Sequence, residues 1–487
     1  MTKNFVAIDL GAESGRAIVG RFDGAHLTLD VKHRFPNRPV RVAGHLHWDA
    51  LRLFDEIQTG LQLAAKDGGA IASVGVDTWG VDFGLLDKNG ALIGNPYHYR
   101  DHRTDGMMER VFARVSRAEV FDATGIQFMQ LNTLYQFASM LNAPALDIAQ
   151  TLLLMPDLLN YWLTGEKLGE FTIATTTQFY DSRRRAWATD MLAKLGLPTH
   201  ILPRVISPTT KIGALLASLA DQPGLRQTQV VAPACHDTGS AVAAVPARAE
   251  HYAYISSGTW SLMGTVVPEP IITDTTLDFN FTNEGGVDNT FRLLKNITGL
   301  WLVQECRRAW ARAGDELSYD ALVALAEQAQ PFQAFVDPDH ASLMNPADMP
   351  RAIQNFCATT GQTIPQDRGA LVRVAFEGLA LKYRATLEQL ERILGYRLDA
   401  IHVVGGGSQN QLLCQFTADA CARPVYAGPV EATALGNIMA QAIASGDCAS
   451  WAQAREIVRA TFPLKMYEPR QTDRWDAAYA RFKTISL

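Results

Sequence analysis

The stretch FVAIDLGAESGRAIVGRF, residues 5–22, decides the fold. Two short, β-rich apolar runs flank a turn holding Gly11 and Gly15, which reads as strand, tight turn, strand. AHLTLDVKHRF (25–35) offers a third strand. WDALRLFDEIQTGLQLAAK (48–66) follows, with Leu51, Leu53, Phe54, Ile57, Leu61 and Leu63 recurring near the helical period. IASVGVDTWGVDFGLLD (71–87) then gives two more strands around a turn at residues 78–80.

Much later the pattern returns. HYAYISSGTWSLMGTVV (251–267) is again strand, Gly-centred turn, strand. After a large insertion comes the helical ALVRVAFEGLALKYRATLEQLERIL (370–394), then AIHVV running into Gly405, Gly406 and Gly407. Such a repeat in pattern, without identity of residues, predicts two similar α/β domains, residues 1–247 and 248–487, facing a central cleft. A cleft between domains is a favoured place for a small molecule. The length of 487 residues agrees with two domains rather than one core.

The bulk composition excludes several classes of function. Hydrophobic residues are 47% and charged residues 19%, an ordinary globular balance. A net charge of −6 argues against a nucleic-acid or anionic-membrane partner. The one basic cluster, Arg183, Arg184 and Arg185, reads as a solvated turn. No apolar run approaches the roughly 20 residues of a membrane helix. The start of the chain reads as a buried strand ending in Asp9, not a secretion signal. Six cysteines in so long a chain, with no C-x-x-C, predict a reducing, cytoplasmic compartment. Cys414 and Cys421 are spaced for one buried helix face.

Neither a P-loop nor G-x-G-x-x-G is present. The turn in DLGAESGR nevertheless presents successive backbone N–H groups from Gly11 to Gly15, the Ser14 hydroxyl and the charge of Arg16, a concave anion site. Ser256, Ser257, Gly258 and Thr259 offer the same chemistry in the second half. One such turn alone is commonly only a hairpin; two at matching places point to a nucleotide. Asp9 adds the hard oxygen that a phosphate-bound Mg²⁺ needs, directly or through water. In APACHDTGSAVAAV (232–245), His236 and Asp237 interrupt small apolar residues. Asp237 there is open to two readings, a helix N-cap or a catalytic carboxylate. His45, His47 and Asp49, and likewise His98, Asp101 and His102, lack a clear fourth ligand for a transition metal. The second group reads better as a loop whose Arg100, Asp101 and Arg103 bond sugar hydroxyls, while Trp79 either stacks on a sugar or packs in the core. Met155 and Tyr161 read as parts of a core helix.

Taken in order, DLGAESGR, GVDTWGVDFGLLD, YRDHRTDGM, LLMPDLLNYWLTG, CHDTGSA, SSGTWSLMG, NEGG, LKNITGLWLVQE, VVGGGSQN and GPVEATALGN carry a resemblance over nearly the whole chain. The sequence resembles the FGGY carbohydrate kinases of the actin/hexokinase-like (ribonuclease H-like) ATPase superfamily. The resemblance implies ATP and Mg²⁺, a small sugar substrate, and a sugar-phosphorylating enzyme. Its sugar-site stretches are most like those of members acting on L-rhamnulose, which implies transfer to the 1-hydroxyl. It further implies that Asp237 is the base, and that Gly80, His236, Asp237, Thr238 and Asn296 contact the sugar. Ala12, Glu13, Ser14, Gly15, Arg16 and Thr259 would hold the phosphates, Gln304 and Gly405 would line the nucleotide site, and Asp9 would order the magnesium hydration shell. Where many members carry a lysine before an aromatic-rich helix, this chain has NTLYQF, so no lysine is assigned there. Cysteines that pair in some relatives have no counterparts in the first half, and no disulfide is expected.

Overall fold

A computed structural model describes residues 2–66 and 69–485. The chain divides into two compact α/β units. One comprises the chain up to Pro246 together with Val266–Leu293 and Ala432–Thr461; the other comprises Ala247–Thr265, Leu294–Glu431 and the chain from Phe462 onward.

In the first unit the strand Lys3–Leu10 lies near the middle of a six-stranded sheet, antiparallel to Ser14–Phe22 and parallel to Ile71–Thr78. Leu27–Pro36 closes one edge, and Gln229–Val231 and Lys211–Ala214 complete the other. Phe5, Val6, Ala7 and Ile8 are all buried, because a central strand with both faces covered is continuously apolar. The helix Ala50–Lys66 packs on the strands Ser14–Phe22 and Leu27–Pro36 through Leu53, Ile57, Leu61 and Ala64. Leu51, counted in the periodic stripe from sequence, falls outside that face and is 63% exposed. The helix Ala432–Ser445 covers the other face of the sheet, where Ile438 would collide with any Cβ on Gly20. A further core gathers residues 83–235, including Phe83, Phe121, Leu134, Phe179 and Ile206, around the antiparallel pair Phe83–Leu86 and Thr151–Leu154. Met155 is fully buried in the helix Met155–Thr164, while Tyr161 is half-buried and its hydroxyl donates to the Gly90 carbonyl at 3.2 Å.

The second unit repeats the plan. Tyr252–Ser257 pairs antiparallel with Trp260–Val267 and parallel with Ala400–Val404, as the first hairpin pairs with Ile71–Thr78. Val425–Ala427 and Lys465–Tyr467 extend that sheet. The long helix Arg368–Leu394 packs against Tyr319–Gln328 and Gln411–Cys421, and Cys414 and Cys421 are buried on the last of these. The six cysteines are free thiols. Among the described residues no helix is long and apolar enough to cross a membrane. The Arg183–Arg185 turn is exposed but tied down, Arg183 to Asp122 at 2.9 Å and Arg185 to the Asn289 carbonyl at 2.9 Å.

A single crossing at 247/248 describes only the first passage between units. Ala432–Ser445 returns to the first unit because two amides on its buried face find partners there. Asn437 donates to Asp77 at 2.5 Å and to the Gly75 carbonyl at 3.1 Å. Gln441 donates to the Val6 carbonyl at 2.9 Å and accepts from Ser73 at 2.7 Å. Buried amides without such partners cost free energy, so the helix has one place to go. It crosses the helix Asp237–Ala243 at Gly436, where an added Cβ would stand 1.8 Å from the Ser240 carbonyl oxygen. Alanine is otherwise the better helix former, yet Gly436→Ala is expected to lower stability by about 1–3 kcal/mol by forcing the helices apart. Urea unfolding measures this; a variant as stable as the parent would show that the helices do not meet so closely.

Candidate active site

The register of three strands sets the first group of polar residues. Asp9 lies opposite Arg16 in the hairpin and opposite Asp77 on the parallel strand. Arg16 bonds the Asp9 carboxylate, so its charge is spent on that partner rather than held free. Asp77 is completely buried; one oxygen accepts from Asn437 and the other has no partner. Burial, reinforced by the charge of Asp9, drives the Asp77 carboxyl well above the usual carboxylate range. Sequence reasoning passed over Asp77, though its signal matched that of Asp9, a carboxylate closing an apolar strand.

Between the strands, Ala12, Glu13 and Ser14 are half-buried in a turn closed by Gly11 N–H to the Ser14 carbonyl at 3.0 Å. Asn37 braces it from outside, donating to the carbonyls of Gly11 and Glu13 at 2.9 Å each. Gly15 is needed for packing, since a Cβ would reach within 2.3 Å of the Phe35 ring.

Asp237 is the first residue of the helix Asp237–Ala243 and not its N-cap; His236 holds that position without capping through its side chain. The entry to this helix is fixed from behind. Glu170 accepts N–H bonds from Thr172 at 2.9 Å, Ile173 at 3.2 Å and Cys235 at 3.1 Å, and the Thr172 hydroxyl at 2.6 Å. The Thr172 oxygen in turn accepts His236 N–H at 3.2 Å. Desolvation nevertheless pushes Glu170 up to about 7. The Asp237 side chain keeps 29% of its surface accessible and accepts Thr238 N–H at 2.5 Å and the Thr238 hydroxyl at 3.2 Å. Its pKa is raised by burial and by Asp9, against the lowering influence of His236 and the two Thr238 bonds. The turn carrying Gly80 runs alongside, because Thr78 N–H donates to the Cys235 carbonyl at 2.9 Å and Thr78 bridges His236.

The polar loop nearby resolves its alternatives. Trp79 is 5% exposed and lies against Trp48 with ring centroids 4.1 Å apart, which is packing rather than an open stacking platform. Both indoles donate to Asp82, at 2.9 and 2.5 Å, and burial lifts that carboxyl to about 6 despite them. Asp101 is consumed locally, accepting Leu46 N–H at 2.7 Å, Arg103 N–H at 2.9 Å and His45 Nδ1 at 3.0 Å. Arg103 donates to Gln136 at 2.8 Å and retains buried Nε and Nη1 donors without a partner. The fold does gather ligand atoms of His45, Asp101 and His102 within 4.8 Å. The two imidazoles stack at 4.8 Å with planes 7° apart, so their in-plane lone pairs run parallel instead of converging on an ion.

The second unit holds its own group. Gly258 and Thr259 accept N–H bonds from residues 299–301 at 3.0–3.2 Å, tying the hairpin turn to the start of the helix Trp301–Arg312, which carries Gln304. The Gln304 Oε1 is buried without a partner. Gly405 adopts φ +80°, which only glycine takes readily, and a Cβ there would be 3.1 Å from the Ser257 carbonyl oxygen. Asn296 lies in the strand Phe291–Thr298, half-buried.

Models of the N-terminal and C-terminal domains of the FGGY family of carbohydrate kinases match residues 4–244 and 253–445. The chain belongs to that family. It is 47% identical to a rhamnulokinase of Bacteroides thetaiotaomicron over 485 residues, covering 99% of each chain. It is 42% identical to a rhamnulokinase of Pectobacterium atrosepticum, covering 99% of this chain and 97% of that one. Among solved structures it is similar in fold to a gluconate kinase of Lactobacillus acidophilus, with TM-score 0.81, 14% identity and coverage of 100% and 98%. A glycerol kinase of Plasmodium falciparum matches with TM-score 0.78, 15% identity and coverage of 99% and 97%. The FGGY chain therefore has the two-domain actin/hexokinase-like architecture of these kinases.

The raised Asp77 gives a test of this electrostatic arrangement. Between the unfolded value near 3.9 and its higher native value, Asp77 is protonated when folded and ionised when unfolded. The folded state then binds more protons, and stability falls as pH rises through that window. Asp77→Asn abolishes the titration and keeps an acceptor for Asn437, so the variant should gain on the parent as pH rises from the unfolded value towards the higher native one. Urea unfolding of the ligand-free protein at several pH values reads the difference; a difference flat with pH would mean that Asp77 is ionised in the fold.

Proposed function

We propose that this protein transfers the γ-phosphoryl group of ATP to the 1-hydroxyl of L-rhamnulose, giving L-rhamnulose 1-phosphate and ADP. The observation that carries the reading is Asp237, a partly accessible carboxylate at the start of a helix with a loop clamped behind it, in a chain 47% identical to a rhamnulokinase over 485 residues. Phosphoryl transfer passes through a loose transition state, so the enzyme's work is alignment and charge neutralisation. In this reading Asp237 accepts the proton of the attacking hydroxyl as the new P–O bond forms. His236, Thr238, Gly80 and Asn296 bond the sugar, and the unpartnered donors of Arg103 suit a hydroxyl oxygen. Ala12, Glu13, Ser14, Gly15, Arg16 and Thr259 are assigned to the phosphates, and Gln304, with its orphan acceptor, and Gly405 to the rest of the nucleotide.

Mg²⁺ fits the hard carboxylate oxygen of Asp9 at the end of its strand. Asp9 would hold it through water, and the ion would neutralise phosphate charge. The reading places the enzyme in the cytoplasm, with sugar and ATP as its small-molecule partners.

Asp237→Asn should lower kcat by about 10²–10⁴-fold while leaving ATP affinity nearly unchanged, measured by ADP release and nucleotide titration. A variant with most of its activity would sink the role of Asp237. The substrate is tested with L-rhamnulose, L-fuculose, L-xylulose, L-ribulose, D-xylulose and glycerol under Mg·ATP. Preference for L-rhamnulose is expected; preference for another ketose keeps the base and replaces the sugar assignment.

A further inference from the structure

Behind His236 lies a buried ion pair that the reaction outlined above does not use. Arg292 is 1% exposed, among the largest fully buried side chains, and Glu284 is 4% exposed. Arg292 Nε donates to the Gly285 carbonyl at 2.9 Å, and its Nη2 donates to Glu284 Oε2 at 3.0 Å. His236 Nδ1 stands 3.0 Å from that same oxygen, and 3.1 Å from Arg292 Nη2. On the other side of the ring, Nε2 is 3.5 Å from Asp237 Oδ1.

Removing two charges from water is costly, and a buried pair is weak evidence of stability for its own sake. Here the pair also meets a titratable ring. Burial alone would raise Glu284, yet the charges and hydrogen bonds of His236 and Arg292 outweigh it and hold the carboxyl below its ordinary range. An ionised acceptor facing Nδ1 selects the nitrogen that carries the proton. Arg292 has only donors to offer, so its 3.1 Å contact with Nδ1 is a bond only while that nitrogen is bare; with Nδ1 protonated, Nη2 and Nδ1–H both turn to the one carboxylate oxygen.

We propose that Glu284 and Arg292 are positioning residues for the catalytic base: Glu284 keeps a proton on Nδ1 of His236, so the ring gains and loses its second proton at Nε2, facing Asp237. The proposal rests on the assignment of Asp237 as base. A proton on Nε2 favours the ionised form of Asp237. The other charges facing this pair are Asp9, bonded to Arg16, Asp77 on the adjacent strand, and Glu170 behind Cys235. Burial and Asp9 work against ionisation of Asp237, and His236 and the two Thr238 bonds act the other way.

The test is the pH profile of kcat and of kcat/KM for the sugar in the parent, Glu284→Gln, His236→Asn and the double variant. Glu284→Gln should move the acid limb upward by about one pH unit. Activity then drops about tenfold on the acid side of the limb and changes little on its alkaline side. In the His236→Asn background the same substitution should give no further shift, because the coupling passes through the ring. An even loss across pH, or an undiminished shift without His236, overturns the proposal. Nitrogen-15 NMR of the unmodified protein decides independently of activity and of how the variants fold. The neutral His236 ring should be the Nδ1–H tautomer, and an Nε2–H tautomer overturns the proposal. Should the parent phosphorylate no ketose, the proposed function fails, and the tautomer still reports on the Glu284–His236 bond.

Discussion

A single buried carboxylate, Glu170, fixes where the chain can enter the helix that carries Asp237. Its two oxygens collect three backbone N–H groups and the Thr172 hydroxyl, and that hydroxyl oxygen passes the constraint on to His236. Each bond is modest, about 0.5–1.5 kcal/mol net. Together they leave the 235–237 segment no alternative path, since an orphaned N–H there would cost more than any bond made elsewhere. The strand end at Thr78 then docks onto this segment, which brings the Gly80 turn beside it. The placement of His236 and Asp237 thus follows from backbone satisfaction in a buried loop rather than from packing of apolar bulk.

Around that anchor the sheet register gathers carboxyl groups. Parallel pairing of Lys3–Leu10 with Ile71–Thr78 makes Asp9 and Asp77 neighbours by geometry, and Arg16 answers only one of them. The other is sealed under Asn437, where an amide satisfies one oxygen and burial pushes the carboxyl well above the usual carboxylate range. The same helix that supplies Asn437 also backs Asp237–Ala243 at Gly436. Covering the sheet, tempering Asp77 and supporting the Asp237 helix are consequently one event.

Much of the framework was legible because it is written in short-range pattern. The hairpin at residues 5–22, the strand ending at Thr78 and the matching hairpin at 251–267 all announce themselves through apolar runs broken by glycine and polar turns. The return of Ala432–Ser445 to the first unit was not legible. Its helical period is clear, but the partners of Asn437 and Gln441 lie some 360 and more residues away in the chain. Trp79 stayed ambiguous for the same reason, since Trp48, the ring that covers it, belongs to a separate segment.

The residues that sequence reasoning missed share a physical character. Asp9 and Asp237 stand out because a charge interrupts an apolar stretch, and the eye asks what could use it. Glu170, Glu284 and Arg292 interrupt nothing locally; each lies in a mixed segment where an exposed charge would look ordinary. Their importance comes from burial, and burial of a charge is a property of what surrounds it in three dimensions. Glu284 and Arg292 could still have been suspected together. They sit eight residues apart on either side of a tight turn, and opposite charges so placed can neutralise one another as the strands are covered. A buried pair of that kind gains little from its own attraction, so its persistence beside His236 is better explained by the proton it controls than by the stability it confers.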